Sequence, residues 1–298
     1  MAELRQTESC PPCGRVPRRT FLADVGMGFT GLALGAMLGL EVDSLETQGD
    51  GLDGVLVAEA TYGDADDSSR YVIFSATKPY VASTVWTLIT DGLVDIAEPV
   101  TTYFPEFGDN GKDAITIEQV MLHTSGFPYA PMGPPTWSDR ESRKQKMAGW
   151  RLNWEPGTRF EYHATSAHWV LAEIIEAVTG NDFRDEVERR VTGPAGLPRI
   201  VGIPVPDQEG IEDLVLVGQP ATPDELEAAF GVRELPASEV TDEVVLRFND
   251  ADVREVGVPG GGGVARARDL ALFHQCLLHD PAGIWDEASL ADWTDRKS

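Results

Sequence analysis

Cysteine is nearly absent: Cys10, Cys13 and Cys276 are the only three in 298 residues. An odd count without regular spacing excludes a disulfide-stapled scaffold. Cys10 and Cys13 have CxxC spacing, but no second pair and no preceding strand accompany them, so neither zinc nor redox chemistry is expected there. Cys276 falls in a helical apolar pattern and is expected in the core. Positive charge is also scarce. Lys plus Arg number 24 against 49 Asp plus Glu, a net charge of −25. That balance excludes a nucleic-acid partner, because such proteins neutralise phosphates with Lys and Arg. Histidine is sparse, and His163/His168 and His274/His279 are each five apart, which does not put two ligands on one helix face. The Gly260–Gly263 run lacks the Lys-Ser/Thr of a phosphate loop, and Asp64–Asp67 lacks the spacing of a calcium loop. No metal and no cofactor are expected. What is present is 42% apolar residue content over 298 positions, enough for a sizeable core.

The start of the chain reads as an address. Arg15, Arg18 and Arg19 precede Thr20-Phe21-Leu22, and an apolar run follows from Val25 to Leu40. This resembles a twin-arginine export signal. At about sixteen residues the run is short of the roughly twenty needed for a membrane span, and five glycines interrupt it. Residues 1–45 are therefore expected to be export leader and linker, with residues 46–298 forming the folded domain. The exported location has cytoplasmic retention as its alternative, and no stable membrane span is expected once the leader is removed.

The remainder is expected to be mainly helical. Gly54–Tyr62 reads as a strand, followed by a turn at Gly63–Asp67. Ser75–Asp91 carries an apolar stripe at helical spacing, with Pro79 in its first turn, where a missing N–H is tolerated. Thr116 and Gln119 form a capping-box pattern ahead of His123-Thr124-Ser125-Gly126. Gly126–Trp137 is Pro-rich loop. Helices are expected over 165–179, stopped by Gly180, over 183–191, from Thr222-Pro223 onward, and over 267–278. Residues 200–218 read as strand or coil, and 256–264 as a glycine-rich loop.

One short pattern carries chemistry. Lysine occurs five times, and Lys78 lies three residues after Ser75 at the mouth of the apolar helix. Positions i and i+3 share a helix face, so the amine can reach the hydroxyl. A Ser hydroxyl needs a base to become a nucleophile, and Lys serves only when neutral. Lowering its pKa from about 10.4 to about 7 takes roughly 4–5 kcal/mol, which burial together with a neighbouring positive or hydrogen-bonded group can supply. On the spacing alone, a Ser N-cap beside a solvated Lys is the ordinary reading of such a pair.

Four ordered segments change that reading. Phe74-Ser75-Ala76-Thr77-Lys78-Pro79, Ile115–Gly126 with its HTSG ending, Trp154-Glu155-Pro156-Gly157 through Tyr162, and Gly260–Leu270 resemble, in this order, the serine beta-lactamase-related hydrolases. These include class C beta-lactamases, D-alanyl-D-alanine carboxypeptidases and family VIII esterases. The resemblance implies an α+β fold of the beta-lactamase/transpeptidase type, an antiparallel sheet flanked by helices with a mainly helical subdomain. It implies Ser75 as acylated nucleophile, Lys78 as its proton partner and Tyr162 as a shared acid–base. It implies the Ser75 N–H as one oxyanion donor, substrate contacts at His163, Ala164, Gly261 and Gly262, and a small-molecule ester or amide as substrate. Two departures qualify it. Where the family has Tyr-x-Asn, this chain reads Tyr162-His163-Ala164, which favours small-ester hydrolysis over beta-lactam hydrolysis. His163 is expected either to replace the lost amide in part or to be solvated. The family's third motif, Lys-Thr-Gly or His-x-Gly, does not occur in the sequence, which runs about thirty-five residues past Gly263. The sheet is therefore expected to be incomplete in this chain, and an inactive family member that only binds a ligand or partner is the alternative expectation. Trp137, Trp150 and Trp154 are candidates either for an acyl pocket or for packing, and His123 for a structural hydrogen bond.

Overall fold

The computed structural model describes residues 61, 63–234, 241–286 and 288. The expected leader, and the expected strand at Gly54–Tyr62 apart from Thr61, lie outside them. In chain order the elements are β1 (Tyr71–Val72), α1 (Lys78–Thr90), α2 (Ile117–Met121), α3 (Arg140–Ala148), α4 (Ser166–Thr179), α5 (Phe183–Val187), α6 (Pro223–Phe230), α7 (Asp242–Leu246), α8 (Ala251–Val256), β2 (Val264–Ala265) and α9 (Ala267–His279). Helices dominate, as the periodicity predicts.

The core is built on α1 and α4, which pack together. In α1, Tyr80, Val81, Val85, Trp86 and Leu88 are all buried, so the helix is covered on most of its circumference rather than along one stripe. In α4, eleven consecutive residues from Ser166 to Glu176 are buried, and Gly180 ends the helix at φ 74°. Cys276 of α9 is buried, and Tyr80 stacks on Phe273 of the same helix at 3.6 Å between centroids. The capping box at α2 forms as read: Gln119 N donates to Thr116 Oγ1 at 3.2 Å, and Thr116 N donates to Gln119 Oε1 at 3.1 Å. Thr222 caps α6 in the same way.

Several boundaries differ from expectation, each for a local reason. The helix expected from Ser75 begins as a 3-10 turn over Phe74–Thr77 and becomes α-helical only at Lys78. The helix expected over 183–191 is α-helical only to Val187 and closes with a π turn over Glu188–Thr192. Residues 200–218 are mostly irregular, with one 3-10 turn at Val205–Asp207. Helix α3 carries almost no apolar signal in Arg140–Ala148, so periodicity does not reveal it. Asp139 caps it through Ser142 N at 2.7 Å, and ion pairs anchor it to α4. Arg143 meets Glu176 at 2.9 Å with both side chains buried, and Arg140 meets Glu173 at 2.8 Å.

Among the described residues the sheet comprises β1 and β2, antiparallel, with Tyr71 opposite Ala265 and Val72 opposite Val264. Arg70 makes a parallel bridge to Ile211 on the other side. Short as it is, this pairing decides the layout of the site. It brings the chain just before Ser75 alongside the glycine run nearly two hundred residues later. Ile73 N then donates to Gly263 O at 2.9 Å.

Candidate active site

Ser75 lies in the 3-10 turn between β1 and α1. The residue before it, Phe74, holds φ at 44°, in the left-handed region that a bulky side chain seldom occupies. That backbone turn presents Ser75 between two groups. Lys78 Nζ donates to Ser75 Oγ at 3.2 Å, and Tyr162 OH donates to the same oxygen at 2.6 Å. The amine also stands 5.0 Å from the centroid of the Tyr162 ring. Ser75, Lys78 and Tyr162 are thus brought into one constellation across 87 positions of sequence.

The amine is not solvated. Lys78 is buried, and besides Ser75 it donates to the carbonyls of Ala164 at 2.7 Å and Gly260 at 2.5 Å. Three acceptors suit an ammonium. They suit a neutral amine equally: two N–H bonds serve the carbonyls, and the remaining lone pair faces Ser75. Burial lowers the Lys78 pKa from 10.5 to about 7. Burial raises that of Tyr162 above its ordinary value, against the opposing hydrogen bond to Ser75. The usual order of the two groups is thereby reversed at neutral pH. The amine is available as a base while the phenol keeps its proton, the separation that acid–base pairs require.

The three histidines nearby carry no positive charge at neutral pH. Burial, then His163 and Lys78, push His123 down to about 3, and burial likewise lowers His163 and His168. His123 accepts the backbone N–H of His163 on Nδ1 at 3.1 Å, the structural hydrogen bond expected of it. His163 departs from both roles expected of it. It is fully buried rather than solvated. Its Nδ1 pairs with Glu161 O at 2.6 Å, and its Nε2 meets Phe127 N at 3.2 Å and Ser125 Oγ at 3.1 Å. The imidazole is therefore spent on joining the HTSG turn to the Tyr162 segment, which leaves no nitrogen for a substrate. The same junction requires Gly126. At its φ of 87° a Cβ would stand 2.5 Å from Trp154 O.

Ala164 contributes through its carbonyl rather than its side chain. Gly261 is beside the Ser75 turn, where a Cβ would come 4.0 Å from the Phe74 carbonyl carbon and 3.9 Å from Phe248 Cζ. Gly262 instead aims its missing side chain into its own loop, 2.5 Å from Val258 N. Trp150 is packed in the core, and Trp137 lies against it.

Two positions escape sequence reasoning. The Gly260 carbonyl binds Lys78, and backbone acceptors leave no trace in side-chain motifs. Thr77, one of the unspecified positions between Ser75 and Lys78, donates to Phe74 O at 2.6 Å and accepts Gly263 N at 2.8 Å. It ties the Ser75 turn to the glycine run. Thr77→Val keeps the shape but strands the buried Gly263 N–H, so a loss of about 1–3 kcal/mol is expected in urea unfolding. An unchanged midpoint would show that the bond is not needed.

Comparison with known proteins places this geometry. The chain is 27% identical over 255 residues to the esterase/beta-lactamase LipL of Mycobacterium tuberculosis, covering 76% of this chain and 57% of that protein. It is 27% identical over 150 residues to esterase EstB of Burkholderia gladioli, covering 44% of this chain and 38% of that one. Their full lengths thus exceed what this chain spans. The crystal structure of a family VIII carboxylesterase superposes with a TM-score of 0.63 at 23% identity, over 76% of this chain and 61% of the other, which shows the shared α+β fold. The Beta-lactamase family model matches residues 49–297, a span that holds Ser75, Lys78, Tyr162 and the glycine run alike. With most of its length matched in this way, the chain belongs to the Beta-lactamase family of hydrolases.

Proposed function

We propose that this protein is a serine hydrolase that forms an acyl-enzyme on Ser75 and hydrolyses a small ester in preference to a lactam or a D-alanyl peptide. The observation that carries the reading is the placement of Ser75 Oγ between Lys78 Nζ at 3.2 Å and Tyr162 OH at 2.6 Å. In the first half-reaction Ser75 Oγ attacks the carbonyl carbon and its proton passes to neutral Lys78. The tetrahedral intermediate collapses, and the leaving oxygen takes a proton from the Tyr162 side. In the second half, water attacks the acyl carbon, gives up a proton to the same pair, and Ser75 recovers its own. The Ser75 N–H, in the 3-10 turn that leads into α1, serves the oxyanion. Preference for esters follows from Ala164, which offers no side-chain amide to a lactam or peptide bond.

A fluorescent fluorophosphonate is expected to label the chain, and peptide mapping to find the adduct on Ser75. Absence of labelling, together with no hydrolysis of p-nitrophenyl butyrate, would favour the binding-only alternative. Tyr162→Phe is expected to lower kcat for that ester about 100-fold, within the range of a lost acid–base group, with little change in KM. We also propose export by the twin-arginine route, supported by Arg18 and Arg19 ahead of the apolar run. Arg18→Lys combined with Arg19→Lys is expected to abolish periplasmic product in a cell-fractionation assay. Unchanged fractionation would remove that proposal.

A further inference from the structure

Phe160 stands 68% exposed, two residues before Tyr162. Exposure of one ring means little by itself; its surroundings give it meaning. Arg159 and Glu161 pair with each other at 2.7 Å, and Glu161 also accepts the Tyr129 hydroxyl. His163 is buried against Ser125 and Phe127. Phe160 and Tyr162 instead both set their rings against His123, at 6.4 and 5.0 Å between centroids. The two rings therefore share one face of the segment, and the charged pair is directed elsewhere, toward Tyr129. Burial, the largest cause, lowers the His123 pKa to about 3, so this ring is uncharged at neutral pH. The face formed by Phe160, His123 and Tyr162 is thus aromatic and neutral, and it ends at the phenol that touches Ser75 Oγ.

We infer, resting on the acyl-enzyme reading above, that Phe160 is a specificity-determining residue that receives the leaving alcohol, and that the substrate is an ester whose alcohol carries an aromatic or other apolar ring. Tyr162 sets the side. As the tetrahedral intermediate collapses, the bond between the carbonyl carbon and the alcohol oxygen breaks. The acyl group stays on Ser75 Oγ, and the departing oxygen takes a proton from the Tyr162 side. That oxygen must therefore come within hydrogen-bond reach of the Tyr162 hydroxyl. Its substituent then lies against Tyr162 and the rings that share its face. Side chains two apart on an extended stretch stand about 7 Å apart, the span of one ring joined to the leaving oxygen through a single carbon. An aromatic ring there meets Phe160 edge-on or offset. A charged alcohol would lose hydration against the same face and gain no partner.

The test compares benzyl acetate with ethyl acetate, two esters with the same acyl group and with alcohols of similar acidity. The wild type is expected to favour the benzyl ester in kcat/KM. In Phe160→Ala the benzyl-to-ethyl ratio of kcat/KM is expected to fall about tenfold, the order of effect of removing an aromatic contact, with the loss in the KM for benzyl acetate. Phe160→Trp is expected to keep the preference. Phe160→Gln is expected to lose it as alanine does, and covers the case in which Phe160→Ala fails to fold. A purely structural role for Phe160 would lower both esters alike and leave the ratio unchanged. Fluorophosphonate labelling of Ser75 reports the hydrolase reading separately. An unchanged ratio in variants that still label overturns the role of Phe160 alone. A wild type that neither labels nor hydrolyses either ester removes that reading and this inference together.

Discussion

Lys78→Met is expected to lower kcat/KM for p-nitrophenyl butyrate by about 10³-fold, in the middle of the range for a lost general base, and to change how stability depends on pH. The first effect follows from the amine at 3.2 Å from Ser75 Oγ, which among the described residues shares that oxygen with the Tyr162 phenol. In the wild type, kcat/KM is expected to rise with pH along an acid limb centred near 7, where burial has placed the amine. The second effect has a definite sign. Between pH 7 and 10.5 the unfolded chain holds a proton on this lysine and the folded chain does not. Stability contributed at this position therefore grows as pH rises through that window, and is lost as pH falls through 7. Methionine has no such linkage. The stability of wild type relative to Lys78→Met is expected to increase by about 3 kcal/mol between pH 6.5 and 9.5, measured by urea unfolding of both proteins at each pH. Taking the difference cancels the repulsion that a net charge of −25 adds at high pH. A flat difference would mean that Lys78 stays charged in the folded protein and is not the base.

Ser75→Ala is expected to abolish fluorophosphonate labelling and to lower ester hydrolysis at least about 10³-fold, since nucleophile loss removes the covalent route entirely. No neighbour is placed to substitute. Thr77 Oγ1 is committed to Phe74 O and Gly263 N, and Ser125 is buried against His163. The fold should tolerate the change. Lys78 retains the Ala164 and Gly260 carbonyls, and Ser75 supplies neither core volume nor the bond that holds the glycine run. Thermal unfolding within a few degrees of wild type, with labelling lost, is the expected pair of results. Labelling that persists in Ser75→Ala would assign the nucleophile elsewhere. The same variant makes the contrast with Lys78→Met informative: both lose turnover, but only Lys78→Met should flatten the pH dependence of stability.

Much of this site is legible in the sequence because its chemistry is local. Ser75 and Lys78 are one turn apart, so their spacing brings hydroxyl and amine together whatever the rest of the chain does. The caps at Thr116 and Thr222 and the glycine stop at Gly180 are likewise local, and they form as read. Helix α3 was not legible. Its stability comes from Arg143 and Arg140 reaching carboxylates on α4, and such pairing has no periodic signature. His163 shows the opposite failure. Its position next to Tyr162 suggested a cleft residue, but backbone direction turns its ring inward, onto Phe127 N and Ser125.

By itself, then, the sequence determined the Ser75–Lys78 pair, the caps and stops of several helices, the family to which the ordered segments belong, and an acidic chain with a net charge of −25. Tertiary structure alone decided what lowers the pKa of the amine. Local spacing can place Lys78 near Ser75, but it cannot bury it. Burial comes from α4 packing beside α1 and from the β1–β2 pairing, which lays the Gly260 carbonyl over the amine from 182 residues away. A pKa is set by the solvent and charges around a group, and that surrounding exists only once distant parts of the chain have met.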